Sequence, residues 1–158
     1  MIFVTLGTQQ IPFPRILREI DDLIERGVID EKVIAQKGYT DYTPRHFECV
    51  DLLSEEEFRR HISLARVVIT HAGSGAMFNI IKSGVKGIAV ARLHKYGEMM
   101  DDHQTELVRK LCSEGYILDG SESIEAALRQ VDEFTPRTCD FTQHITEAVK
   151  EYIASLTF

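Results

Sequence analysis

A chain of 158 residues, 44% hydrophobic and 27% charged, has room for one ordinary soluble domain, and no apolar run in it approaches the about 18 residues that a membrane span needs. The net charge of −7 argues against nucleic acid as a main partner. The three cysteines, Cys49, Cys112 and Cys139, are odd in number and far apart, so they make neither a CxxC metal site nor a disulfide framework and suit a reducing cytoplasm.

The chain opens on a short β-rich run, IFVTL at 2–6, that stops at Gly7. No basic segment precedes it, so no signal peptide is expected. FPRILREIDDLIERG has helical spacing through Ile16, Leu17, Ile20, Leu23 and Ile24 and ends at Gly27. KVIAQ at 32–36 reads as a second strand, KGYTDYTPR at 37–45 as a loop and HFECV at 46–50 as a third strand. SEEEFRRHISLA places Ser54 and Glu57 three residues apart, the signature of a capping box, and predicts a helix. RVVIT at 66–70 is a continuous apolar strand of the kind buried on both faces. A helix follows from about 75 to 83, closed by Gly84, and GIAVA at 87–91 is another buried strand. RLHKYGEMM reads as a loop, and DDHQTELVRKLCSEG as an amphipathic helix over 101–114 that Gly115 stops. A short strand, YIL, and helices over 122–132 and 142–156 complete the chain.

Strands alternating with helices predict an α/β fold, a single Rossmann-like domain over 1–158 with a mainly parallel sheet covered by helices on both faces. Ligands of such sheets bind at the carboxyl ends of the strands. Three loops are expected there: Gly7 to Gln10, His71 to Gly75, and Arg92 to Asp102.

Charge points to the same end. From Phe58 to Gly97 there is no Asp or Glu, whereas Arg59, Arg60, Arg66, Lys82, Lys86, Arg92 and Lys95 all fall in that stretch. A basic middle centred on a glycine-rich turn in an acidic chain suggests an anionic ligand, against the plainer reading of chance surface charge. The turn, THAGSGAMFNII at 70–81, matches no common phosphate motif. Gly73 and Gly75 lack the third glycine of GxGxxG, where Phe78 stands, and no GK[ST] or GxSxG occurs. What remains is general: glycines let backbone N–H groups approach an anion, the following helix adds its positive end, and Ser74 can cap that helix and reach a phosphate oxygen. Glycines that merely permit a tight strand-to-helix turn are the alternative.

VTLGT at 4–8, VVITHAGSGAMFNIIKSGVKGIAV at 67–90 and MMDDHQTEL at 99–107 together resemble the C-terminal, donor-binding half of family 28 glycosyltransferases of the GT-B fold. The resemblance covers most of 1–118. It is nearest to single-domain members: the catalytic subunit of the eukaryotic two-part N-acetylglucosaminyltransferase, and the PssE- and CpsF-type subunits of bacterial exopolysaccharide and capsule synthesis. It implies a UDP-sugar donor, with the diphosphate near Gly7, Thr8, Ser74 and Gly75 and the nucleotide against the loop and helix at 70–81, which hold His71, Gly73 and Asn79. It places the transferring sugar near Asp102, His103 and Gln104. No Asp-x-Asp pair sits in a suitable loop, so neither a metal nor another cofactor is expected, and helix N-termini with Lys and Arg would stabilise the leaving UDP. Asp101 and Asp102 also read simply as an N-terminal helix cap.

A GT-B enzyme needs two such domains. The resemblance therefore implies a donor-binding subunit that works with a membrane-anchored, acceptor-binding subunit of PssD or CpsG character. The pair would transfer a sugar to a lipid-linked acceptor with inversion, at the cytoplasmic face of the membrane. The stripe of Ile145, Val149, Tyr152, Ile153, Leu156 and Phe158 would dock on that partner or pack on the chain's own sheet. Family members usually carry Glu where Asn79 stands, to grip the ribose, and Asn bonds hydroxyls without charge assistance. This departure keeps a rival open: a non-catalytic subunit that stabilises a partner transferase. A third option is a nucleotide-binding enzyme of another Rossmann-like family. His71 is expected to be structural or to contact phosphate rather than to act as the base. Arg59 and Arg60 are expected to face solvent or a partner, and the cysteines to carry no chemistry.

Overall fold

A computed structural model describes residues 1–100 and 103–137. Six strands, β1 (Ile2–Thr5), β2 (Val33–Gln36), β3 (Glu48–Val50), β4 (Val67–Thr70), β5 (Lys86–Ala89) and β6 (Leu118–Asp119), pair in parallel in the order β3-β2-β1-β4-β5-β6. Helices α1 (Pro14–Glu25), α2 (Glu55–Leu64), α3 (Ser74–Ser83), α4 (His103–Ser113) and α5 (Ile124–Leu128) connect or follow them. The result is a single Rossmann-like domain, as the alternation of elements predicts.

The apolar strands sort their side chains by parity. Val67 and Ile69 of β4 join Val4 and Ile88 under α1 and α5, where Ile16, Leu17, Ile20, Leu23, Ile124 and Ala127 cover them. Val68 joins Phe3 on the opposite face beneath Ile62 of α2 and Ile80 of α3. Met77 and Ile81 of α3 pack with Leu107, Val108 and Leu111 of α4 over Ala89 and Ala91. The central strands are thus buried on both faces, which is why they read as unbroken apolar runs.

Local signals place the helices. Ser54 accepts from the Glu57 N–H and the Glu57 side chain returns to the Ser54 N–H, so the capping box forms in full. Pro14 opens α1, where its missing N–H has no partner to lose. Gly84 closes α3 in the left-handed conformation at φ 70°. Some elements are shorter than the sequence predicts. The third strand keeps only Glu48–Val50 of the predicted 46–50, β6 covers Leu118–Asp119 and so shares only Leu118 with the predicted YIL at 116–118, and α5 spans Ile124–Leu128 within the predicted 122–132. A 3₁₀ turn, His94–Tyr96, interrupts the predicted loop after β5. Asp101, Asp102, Cys139 and the predicted 142–156 helix with its apolar stripe lie outside the described residues. Among the described residues no helix is long and apolar enough to cross a membrane.

Two polar clamps hold the loops. Asp21 of α1, 1% exposed, accepts from the Tyr42 hydroxyl at 2.6 Å and from the Arg45 and His46 N–H groups. Burial opposes its charge, yet these donors hold the carboxyl below its usual range. At the opposite edge Arg15 forks onto Glu98 at 2.8 and 3.1 Å and also donates to the Ala91 and Ser121 carbonyls. Arg92, 2% exposed, faces the Phe13 ring and donates to the Ile11 carbonyl at 2.9 Å. The chain leaving β1 and the chain leaving β5 are therefore tied to each other beside the crevice that the strand order opens.

Candidate functional site

The strand order reverses between β1 and β4. The loops that leave these neighbouring strands turn to opposite sides, and a crevice opens at their carboxyl ends. A cleft of about 780 Å³ occupies that place. Its walls come from the turn after β1, the start of α2, the turn from β4 into α3, and the start of α4.

His71 sits at its floor. The ring is buried, and Nδ1 lies 3.3 Å from the Thr5 carbonyl oxygen. A carbonyl can only accept, so we assign the proton to Nδ1 and leave Nε2 as the acceptor. Burial pushes the His71 pKa down to about 4; the Thr5 carbonyl opposes this and the nearby Arg92 charge adds to it. The ring is therefore neutral near pH 7. It also wedges two turns apart: a Cβ on Gly7 would meet Cε1 at 2.6 Å, and one on Gly73 would meet Nε2 at 2.2 Å. Glycine at 73 answers this approach, since its own φ is −68°. The left-handed residue of the turn is Ala72, at φ 60°, a conformation costly for a residue with a Cβ.

The two helix N-termini at the cleft differ in charge. α2 is capped by Ser54 and carries Glu55, Glu56 and Glu57 in its first turn. α3 has Gly73 as its N-cap, no side-chain cap and no acidic residue in its first turn. Ser74 is the first helical residue and so does not cap α3, contrary to expectation; it is exposed and lines the cleft. The α3 N-terminus thus offers its free N–H groups and positive dipole end to the cleft. Gly75 has no heavy atom within 4 Å of a would-be Cβ, so it faces open space there.

Gly7, Thr8, His71, Gly73, Ser74, Gly75, Asn79, His103 and Gln104 all line this one cleft, although they come from separate parts of the chain. Asp102 lies outside the described residues. Gln104 is also a structural tie, because its Oε1 accepts from the Arg92 N–H at 3.1 Å and joins α4 to the end of β5.

The basic middle does not supply the site. None of Arg59, Arg60, Arg66, Lys82, Lys86, Arg92 or Lys95 lines the cleft. Arg66 is engaged by Glu31 and Asp132, Lys95 by Glu122, Arg59 by Glu55, and Lys86 by the Val131 carbonyl. An acid-free stretch of chain drew its partners from elsewhere in the sequence. The Cys49 thiol is pushed up to about 11 by burial, which suits a packing role. Among the described residues no cluster of His, Cys, Asp and Glu could hold a metal.

The lining also contains Gln9 and Met99, which lie in two of the loops expected there, and Gln36, Leu53, Glu55 and Phe58, which the sequence did not single out. Gln36, 3% exposed, accepts from the Leu53 N–H at 3.2 Å and donates to the Gly7 carbonyl at 3.4 Å, so it braces two walls at once. The signal for Leu53 and Glu55 was present, since a loop leaving β3 must also reach the carboxyl edge of the sheet.

Residues 1–154 match the family described as "Glycosyltransferase family 28 C-terminal domain". Solved structures with the same fold include ALG13, with a TM-score of 0.63 at 16% identity, covering 99% of this chain and 96% of that one. MurG of Acinetobacter baumannii gives 0.54 at 18%, covering 82% of this chain and 40% of that one. The Streptomyces sp. SF2575 glycosyltransferase SsfS6, solved with thymidine diphosphate, gives 0.55 at 16% over 98% of this chain and 37% of that one. The chain thus spans about two fifths of the latter two and nearly the whole of ALG13.

Proposed function

Because the chain belongs to the glycosyltransferase family 28 C-terminal domain family, we propose that its cleft binds a UDP-sugar and presents it for transfer to a lipid-linked acceptor. The observation that carries this reading is the pairing of the Gly7 turn with the uncapped, acid-free N-terminus of α3, held apart by neutral His71. Backbone N–H groups and a helix dipole suit a diphosphate, and they favour it more as negative charge grows on it. The sugar would lie toward His103 and Gln104. The acceptor hydroxyl would attack the anomeric carbon as its bond to the diphosphate breaks, the bonding electrons leave on UDP, and the configuration inverts. The hydroxyl proton would pass to a base on an acceptor-binding half, because His71 is enclosed and, with a pKa of about 4, too weak a base.

That acceptor half is proposed to be a membrane-anchored subunit, as in the PssE- and CpsF-type systems of polysaccharide synthesis that the sequence resembles.

Titration calorimetry with UDP, UDP-sugars, ADP-sugars and NAD, with and without EDTA, tests the reading. Uridine nucleotides should bind best, and EDTA should not matter. Strict dependence on Mg²⁺ or Mn²⁺ would remove the metal-free mechanism. Absence of nucleotide binding would leave the stabilising-subunit reading in its place.

A further inference from the structure

The stretch from Tyr96 to Met99 borders two hollows. Met99 lines the cleft, whereas Tyr96, Gly97 and Glu98 line a second hollow of about 800 Å³ that they share with Ile11 and the start of α1. A strip bordered in this way has little to pack on. Leu93 before it and Leu107 after it belong to the core, but no described hydrophobic side chain between them does, and Tyr96 and Met100 are exposed. Apolar burial therefore does not hold this wall in place.

Polar contacts hold it instead. The Glu98 side chain, 10% exposed, accepts from Arg15 Nε at 2.8 Å and Nη2 at 3.1 Å, and its Oε2 also accepts from the Leu93 N–H at 3.0 Å. Both carboxylate oxygens are thus used, and the bond to Leu93 closes the turn at His94–Tyr96. Arg15 is itself anchored to the Ala91 and Ser121 carbonyls, and its guanidinium stands over the Phe13 and Tyr96 rings. A forked, sheltered ion pair is strong and directional, and loss of either partner strands the other. The second ion pair of the turn, Lys95 to Glu122, joins side chains that are 52% and 72% exposed and contributes little.

Position links the pair to the cleft. Met99 follows Glu98 directly, and His103 and Gln104 open α4 a few residues later; all three line the cleft. The Gly7 turn rests on other contacts, through His71 to Thr5 and through Gln36. The pair therefore bears on the α4 end of the cleft and not on the end proposed for the diphosphate. Resting on the nucleotide-sugar reading of this cleft, we propose that Arg15 and Glu98 are positioning residues for the sugar: without touching it, their ion pair fixes the wall from which Met99, His103 and Gln104 face it.

The test is calorimetry of the protein with UDP and with UDP-glucose, UDP-galactose, UDP-N-acetylglucosamine and UDP-glucuronate, for the wild type, Glu98→Gln, Arg15→Lys and Lys95→Ala. The ratio of UDP-sugar to UDP affinity is read within each protein, for the sugar that the wild type binds best, so a reduced folded fraction cancels from it. Glu98→Gln should lower this ratio by about 10-fold with UDP affinity kept within about 2-fold, because its amide turns a donor toward Arg15 and Leu93. Arg15→Lys keeps the charge but gives up the fork, and should lower the ratio by about 3-fold. It decides alone if Glu98→Gln does not fold. Lys95→Ala should leave the ratio unchanged. An unchanged ratio in the Glu98 and Arg15 variants overturns the assignment. So does an equal loss of UDP and UDP-sugar affinity, the mark of a merely structural pair. A Lys95→Ala protein that behaves like Glu98→Gln also overturns it, because the whole turn and not the pair would then set the wall. A wild type that binds UDP but none of the four UDP-sugars removes the donor reading, and one that binds no UDP removes the nucleotide reading; either takes the assignment with it, and neither depends on the variants.

Discussion

The His71 imidazole stands so close to Gly73 that a Cβ on that glycine would fall within 2.2 Å of Nε2, and Gly7 blocks the ring from the other side. A side chain held between two backbones cannot retreat. Gly73→Ala should therefore destabilise the protein by about 2–3 kcal/mol, the usual cost of forcing extra volume into a packed site. In a His71→Ala background the same change should cost less than about 1 kcal/mol, because its obstacle is gone. Urea unfolding of the four proteins in this cycle gives the coupling. Equal costs in both backgrounds would mean that Gly73 is required for another reason.

Burial of neutral His71 ties stability to pH. Its folded pKa of about 4 lies below the 6.5 of an unperturbed His, so the unfolded chain takes up the proton first. The stability that this group contributes is fully present above about pH 6.5 and is lost as pH falls toward 4. Between about pH 7.5 and about pH 5 the wild type should lose about 2 kcal/mol more than His71→Gln does. Parallel profiles from denaturant unfolding would show that His71 is protonated in the folded state as readily as in the unfolded one.

Gln104 joins a structural bond to a proposed sugar contact, and two substitutions separate them. Gln104→Ala deprives the Arg92 N–H of its acceptor and should cost about 1–2 kcal/mol of stability. Gln104→Glu keeps a carboxyl oxygen there and should cost less than about 0.5 kcal/mol, while it loses the amide donor. If that donor holds the sugar, both variants should lower turnover of the assembled complex by about 10-fold or more. Wild-type turnover in Gln104→Glu would reduce Gln104 to a tether between α4 and β5.

How far these features were legible in the sequence depends on how local their causes are. The Ser54–Glu57 box, the unbroken β4 run and the Gly84 stop act within one element, and each is where the sequence puts it. The position of the cleft follows from strand alternation, which is also local in origin. The electrostatics were not legible. Arg66 finds Glu31 and Asp132 at sequence distances of 35 and 66, so its pairing cannot be seen in a window around it. Gln36 reads as the last residue of a strand, and only the folded turn after β1 shows that it braces Gly7. The need for Gly73 was visible as a residue type, but the reason, a histidine ring rather than a positive φ, was not.

Gly75 offers the sharpest separation of fold from function. It lies in the first turn of α3, its φ is not left-handed, and a Cβ there would meet no heavy atom within 4 Å. Alanine is preferred over glycine in a helix by about 0.5–1 kcal/mol, because the unfolded glycine has more freedom to lose. Gly75→Ala should therefore raise the thermal midpoint by roughly 2–4 °C for a domain of this size. The space the methyl enters belongs to the cleft, however, and borders N–H groups proposed to hold the diphosphate. A methyl there would keep a phosphate oxygen from hydrogen-bond distance and should weaken UDP binding by about 10-fold, or about 1.4 kcal/mol. Uridine without phosphates should lose much less. The two effects have opposite signs, which damage to the fold cannot produce. A stabilised Gly75→Ala protein that binds UDP as the wild type does would show that the diphosphate does not rest against the start of α3.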